Sequence, residues 1–131
     1  MNSSNIVEVK ILEDGILCAE WPAHAPVNRY AMDDETKQRQ ELLNEPHALL
    51  VKLHGITFIT EEAWGTISGE HFHSITTALA ILFDKNSGYY EHGKLIVDLK
   101  FVDGRAVDYP VMYFDEEEAA IDWLRTVCHK N

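Results

Sequence analysis

The stretch His47-Ala48-Leu49-Leu50-Val51-Lys52-Leu53 decides the fold class. It shows almost no polar alternation, and at seven residues it has the length of a strand rather than of a helix. A strand that is apolar on both faces has to be covered on both, as are the inner strands of parallel sheets flanked by helices. A second run of the same kind, Thr76-Thr77-Ala78-Leu79-Ala80-Ile81-Leu82-Phe83, follows and is closed by Asp84. Between the two, Thr60 caps a predicted helix whose first turn carries Glu61 and Glu62, where carboxylates complement the positive helix end. Trp64 and Ile67 fall on its core side. Strand, helix and strand in that order predict a right-handed crossover in an α/β fold.

Toward the N-terminus, Asp33 or Asp34 is placed to cap a helix with Leu42 and Leu43 on its apolar face, ending before Pro46. Ala23 to Met32 contains Pro26 and no clear period, so it reads as a connection, with room for a short edge strand near Asn28 to Ala31. The chain opens with a β-hairpin: Val7, Val9 and Ile11 alternate with Glu8 and Lys10, Asp14-Gly15 supplies the turn, and Ile16 to Trp21 returns. Pro22 stops the second strand, and Met1 to Asn5 are expected to be frayed.

Toward the C-terminus, Ser87 to Val102 fits helical spacing through Leu95, Ile96, Leu99 and Val102, and equally a strand through Ile96-Val97 and Phe101-Val102. Tyr109 to Phe114 is a short strand, with Pro110 near its start where proline is tolerated. Asp115 followed by Glu118 forms a capping box, and Phe114 just before it is placed to pack on Ala119. Ala120, Leu124, Val127 and Cys128, with Trp123 beside them, then give an amphipathic helix whose Glu117, Asp122 and Arg125 face water.

At 131 residues, 46% hydrophobic and 25% charged, the chain is expected to be a single domain spanning residues 1–131, able to bury a core without staples. Its formal net charge of −11 repels nucleic-acid phosphates and anionic lipid headgroups, so neither is expected as a partner surface. No apolar run approaches the roughly 20 residues that cross a bilayer, and the location expected is cytoplasmic. Cys18 and Cys128 lack the close spacing of a redox or zinc motif and read as reduced, buried thiols.

Two stretches carry a resemblance to a known family. The run Ala48-Leu-Leu-Val-Lys-Leu-His-Gly-Ile-Thr-Phe-Ile-Thr-Glu-Glu-Ala63 resembles the signature of STAS domains, the SpoIIAA-like anti-sigma-factor antagonist family, in which a buried strand leads through a short loop to an Asp-Ser-Ser-Gly turn. Tyr109 to Leu124 resembles the ending of small stand-alone STAS-like bacterial proteins. The resemblance covers about residues 6 to 128 and implies a SpoIIAA-like mixed β-sheet with an N-terminal β-hairpin and about four helices. It also implies a regulatory, protein-binding role, exercised on a partner or on a second copy as a homodimer. The partner-contact residues it implies are His54, Thr57, Thr60, Glu61, Glu62 and Trp64. Two departures bear on mechanism. Lys52 stands where the family's strand ends in aspartate, and Glu62 falls on the phospho-accepting serine. A glutamate holds about one fixed negative charge where a phosphoserine switches on nearly two, so a phospho-switch at this turn is not expected.

Other constellations point elsewhere. Glu70-His71-Phe72-His73 is the densest cluster among seven histidines, but on a helix His71 and His73 diverge by about 200°, and the cluster reads as a solvated helix end. No metal or other cofactor is expected. Neither a Gly-x-Ser-x-Gly nucleophile motif nor a phosphate-cradling glycine loop occurs, so no enzymatic activity is expected. Phe72, Tyr89, Tyr90, Phe101 and Tyr113 leave a competing reading open, a pocket for a small apolar ligand such as a lipid, against the simpler reading of core packing.

Overall fold

The computed structural model describes residues 7–13, 15–21, 26–53, 58–59, 69–83 and 109–128. The elements in chain order are β1 (Glu8–Glu13), β2 (Ile16–Trp21), β3 (Pro26–Val27), α1 (Arg29–Leu42), β4 (His47–Leu53), β5 (Phe58–Ile59), α2 (Glu70–Ile75), β6 (Thr76–Phe83), β7 (Val111–Phe114) and α3 (Glu117–Cys128). Five strands form one sheet in the order β1-β2-β4-β6-β7, and β3 pairs with β5 in a separate two-stranded ribbon.

The opening hairpin forms as its alternation predicts, with Val9 opposite Ala19 and Ile11 opposite Leu17. Gly15 takes φ 81° at the turn, a left-handed value that a Cβ would disfavour. Its carbonyl accepts from Ala48 N–H at 3.0 Å, which ties the turn to the next strand. From β2 onward every pairing in the sheet is parallel, β2 with β4, β4 with β6 and β6 with β7.

Both apolar runs therefore sit inside the sheet, and their residues divide between its faces. Leu17, Ala19, Leu49, Leu79 and Ile81 meet Ala31 and Met32 of α1 and Phe72 of α2. Ile16, Cys18, Ala48, Leu50, Ala78 and Ala80 meet Ala120 and Leu124 of α3 on the opposite face. The small side chains on that second face let a helix lie close.

Several elements differ from what their local sequence predicts. Helix α1 begins at Arg29 rather than near Asp33, because Asn28 Oδ1 accepts from Ala31 N–H at 2.9 Å and caps it one turn earlier. Its buried face is Ala31, Met32, Glu35 and Arg39, and Leu42 is exposed. The short strand expected near Asn28 to Ala31 lies instead at Pro26–Val27. At the other end, Phe114 packs on Trp123 at 5.8 Å between ring centroids and Ala119 is exposed, so the staple closes one turn beyond the predicted contact. Helix α3 starts at Glu117, with Ala120 N–H donating to Glu116 O, which places Asp115 one residue outside the cap.

Of the about four helices expected, three lie among the described residues. The helix expected from Thr60, the unassigned segment Ser87 to Val102 and the expected frayed start at Met1 to Asn5 fall outside them. The early start of α1 has a measurable consequence. Asn28→Ala removes the cap and is expected to cost about 1 kcal/mol, read from the urea midpoint. A loss below a few tenths would mean that the cap is not made.

Candidate functional site

Among the described residues, the densest polar cluster is buried. Arg39, in the last turn of α1, is fully buried, as are Glu35 one turn earlier, His47 at the start of β4 and Thr76 at the start of β6. Arg39 Nε donates to His47 Nε2 at 2.8 Å, and Arg39 Nη2 donates to Thr76 Oγ1 at 2.6 Å. The guanidinium also lies over the Phe72 ring, 4.8 Å from its centroid. Phe72 in turn meets Tyr109 at 6.2 Å, and Tyr109 meets the His73 ring at 5.1 Å. Because arginine can only donate, His47 Nε2 must accept, so its proton is on Nδ1, which donates to Glu45 O at 2.9 Å.

These contacts set the electrostatics. Burial, reinforced by the adjacent Arg39 charge, lowers the His47 pKa to about 4, so the ring is neutral at physiological pH. Burial pushes the Glu35 carboxyl up from the ordinary carboxylate range, against the pull of Arg39. Glu35 Oε1 and Arg39 Nη1 face each other at 3.5 Å, and neither makes a hydrogen bond among the described residues. Burial likewise raises the Tyr109 hydroxyl. The cluster joins α1 to the amino ends of β4 and β6. Open α/β sheets bind ligands at the carboxyl ends of their strands, so this network is placed to hold the fold rather than to act on a substrate.

The carboxyl ends show different chemistry. Lys52, one residue from the end of β4, pairs with Glu117 Oε1 at 3.0 Å in the first turn of α3. Lys52 is thus absorbed into a contact between sheet and helix. Cys18, in the middle of β2, is fully buried. Burial pushes its thiol up, so it is not a thiolate nucleophile at neutral pH.

Between α1 and α2 lies an open groove of about 440 Å³, walled by Asp33, Lys37 and Gln40 on one side and by Glu70 and His71 on the other, with Phe72 at its base. Gln40 Nε2 and His71 Nε2 approach to 3.4 Å across it. Among the described residues, no three His, Cys, Asp or Glu side chains converge as a metal site. No described helix is long and apolar enough to cross a membrane.

Residues 10–128 match the family model described as Domain of unknown function (DUF7793). The chain belongs to the DUF7793 family. This DUF7793 chain is also similar to the crystal structure of an uncharacterized protein of the DUF3478 family from Shewanella loihica PV-4, described as having a SpoIIAA-like fold. The likeness has a TM-score of 0.57 at 15% identity, over 95% of this chain and 99% of that one. No curated protein matches the DUF7793 sequence. At that identity the likeness carries architecture alone, and it bears out the mixed α/β, SpoIIAA-like sheet with an N-terminal hairpin.

The sequence-predicted partner residues His54, Thr57, Thr60, Glu61, Glu62 and Trp64 all lie outside the described residues, as do Tyr89, Tyr90 and Phe101 of the ligand-pocket reading. The two aromatics of that reading that are described pack in the core. Phe72 is buried beneath Arg39, and Tyr113 is half-buried against the same cluster. Sequence reasoning missed Glu35, Arg39, His47 and Thr76. The signal was present in the helical spacing of Ala31, Glu35 and Arg39, but charged residues on a helix are ordinarily assigned to its wet face.

Proposed function

We propose that this DUF7793 protein is a cytoplasmic, non-enzymatic contact module, folded as one domain, that binds a protein partner or a second copy of itself through the segment His54 to Trp64. The observation that carries the reading is the course of β4. This inner strand of a largely parallel sheet ends at Leu53, so the chain enters the segment at the carboxyl edge, where open α/β sheets present their binding surface. The chemistry found elsewhere is consistent with binding rather than turnover, since Cys18 and the Arg39 cluster are sealed from solvent. Glu62 in place of a phospho-accepting serine gives the surface a constant charge. With Glu61 beside it and a net charge of −11, a partner with a basic contact face is the complement.

A photo-crosslinking residue placed at Thr57 in the producing organism is expected to yield a discrete adduct. Glu62→Lys combined with Trp64→Ala is expected to abolish it, since loss of an interface tryptophan typically costs 2 kcal/mol or more, about 30-fold in affinity. An adduct and a sedimentation profile that both survive the double substitution would sink the proposal.

A further inference from the structure

Among the described residues the first strand closes one side of the five-stranded sheet, and its outward backbone is met by a side chain of α1. Val9 N–H donates to Gln38 Oε1 at 3.0 Å, and Gln38 Nε2 donates to Val7 O at 2.9 Å. One side-chain carboxamide on α1 thus makes the pair of bonds that the N–H and C=O of one residue in a neighbouring strand would make. Gln38 Nε2 also donates to Asp34 Oδ2 at 2.9 Å, which holds the carboxamide in that orientation. Because backbone direction alternates along a strand, these bonds show that Val7, Val9 and Ile11 turn their N–H and C=O away from β2.

Exposed strand edges are templates for pairing, and proteins that stay unpaired block them. The sequence of this edge is self-complementary. If a second copy lies antiparallel with the two Val9 residues opposite each other, Glu8 faces Lys10 of the partner subunit and Lys10 faces Glu8 of the partner subunit. Val7 then faces Ile11 of the partner subunit. Glu8, Lys10 and Ile11 are all exposed, with Ile11 at 52%. The central pair would be a hydrogen-bonded one, because Val9 turns its backbone groups outward, and opposite charges directly across a ladder favour pairing. A two-fold axis through Val9 would join two five-stranded sheets into one, in a closed isologous contact.

We propose that the β1 edge is a latent self-association surface for a second copy of this chain, held shut by the Gln38 carboxamide. The carboxamide takes the Val9 N–H that the central pair requires, and as an intramolecular partner it meets no concentration cost. Gln38→Met keeps the length of the side chain and removes both bonds, and Gln38→Ala opens the edge further. Two measurements read the result, amide exchange at Val9 in protein dilute enough to be monomeric, and sedimentation over a rising concentration series. The expected result is Val9 exchange faster by roughly tenfold, from the loss of one good hydrogen bond, with self-association strengthened at least as much. Adding Ile11→Pro, which removes an outward donor without touching the ladder to β2, is expected to return sedimentation to that of the wild type. The proposal is overturned if Val9 exchange is unchanged in Gln38→Met. It is also overturned if Val9 exchange quickens while sedimentation stays as in the wild type, or if the association persists with Ile11→Pro. Should Gln38→Ala fail to fold, the methionine variant alone decides.

Discussion

Arg39→Met is expected to lower stability by about 3–5 kcal/mol, the cost of removing one partner from a buried ion pair. The substitution leaves Glu35 buried without its cation and takes from His47 and Thr76 the donor that serves both. It also removes the charge that stacks on Phe72. The pair itself is not an efficient source of stability, since its closest atoms stand at 3.5 Å and make no hydrogen bond. Replacing both members, as Glu35→Leu with Arg39→Met, is therefore expected to recover most of the loss. Urea unfolding of the two single variants and the double variant gives the coupling directly. A single Arg39→Met loss below about 1 kcal/mol, within the range of an exposed ion pair, would show that the cluster is open to water.

Acid is expected to destabilise the fold through His47. The ring is held neutral with a pKa near 4, against an ordinary value of 6.5. Between those values the unfolded chain takes up a proton that the folded chain refuses. Stability from this group is therefore complete above pH 6.5, falls as pH drops toward 4 and changes no further below that, a total of about 3 kcal/mol. Glu35 acts in the opposite sense. Its raised carboxyl protonates in the folded chain before it does in the unfolded one, so its share favours folding as pH falls. Comparing wild type with His47→Gln across this range isolates the histidine. Parallel stability curves for the two would show that the ring is not held neutral.

The sheet was legible in the sequence because its signals are local. His47 to Leu53 and Thr76 to Phe83 are apolar without alternation, and each became an inner parallel strand. The Asp-Gly pair between two short runs specified the hairpin, whose second strand is then buried on both faces. Helix α1 was mislocated for a physical reason. Its inward stripe reads Ala31, Glu35, Arg39, and a charged stripe is inward only if the strands behind it offer matching groups. Those groups, His47 and Thr76, lie 8 and 37 residues from Arg39, beyond the reach of any periodicity argument. The edge-capping role of Gln38 was hidden likewise, since its partners are backbone atoms 29 and 31 residues away. Glu62, by contrast, stood out only against a family pattern, because nothing in the local spacing marks it.

Helix α3 is tied down at both of its ends, by Glu117 to Lys52 and by Arg125 to both carboxylate oxygens of Glu13. Everything it covers, from Ile16 and Cys18 through Leu50 to Ala80, precedes it in the chain. During synthesis these residues lack their α3 cover until the ribosome has released the chain through Leu124. The nascent protein therefore has an interval in which β2, β4 and β6 are already made while the helix that packs on Ile16, Cys18, Leu50 and Ala80 is not.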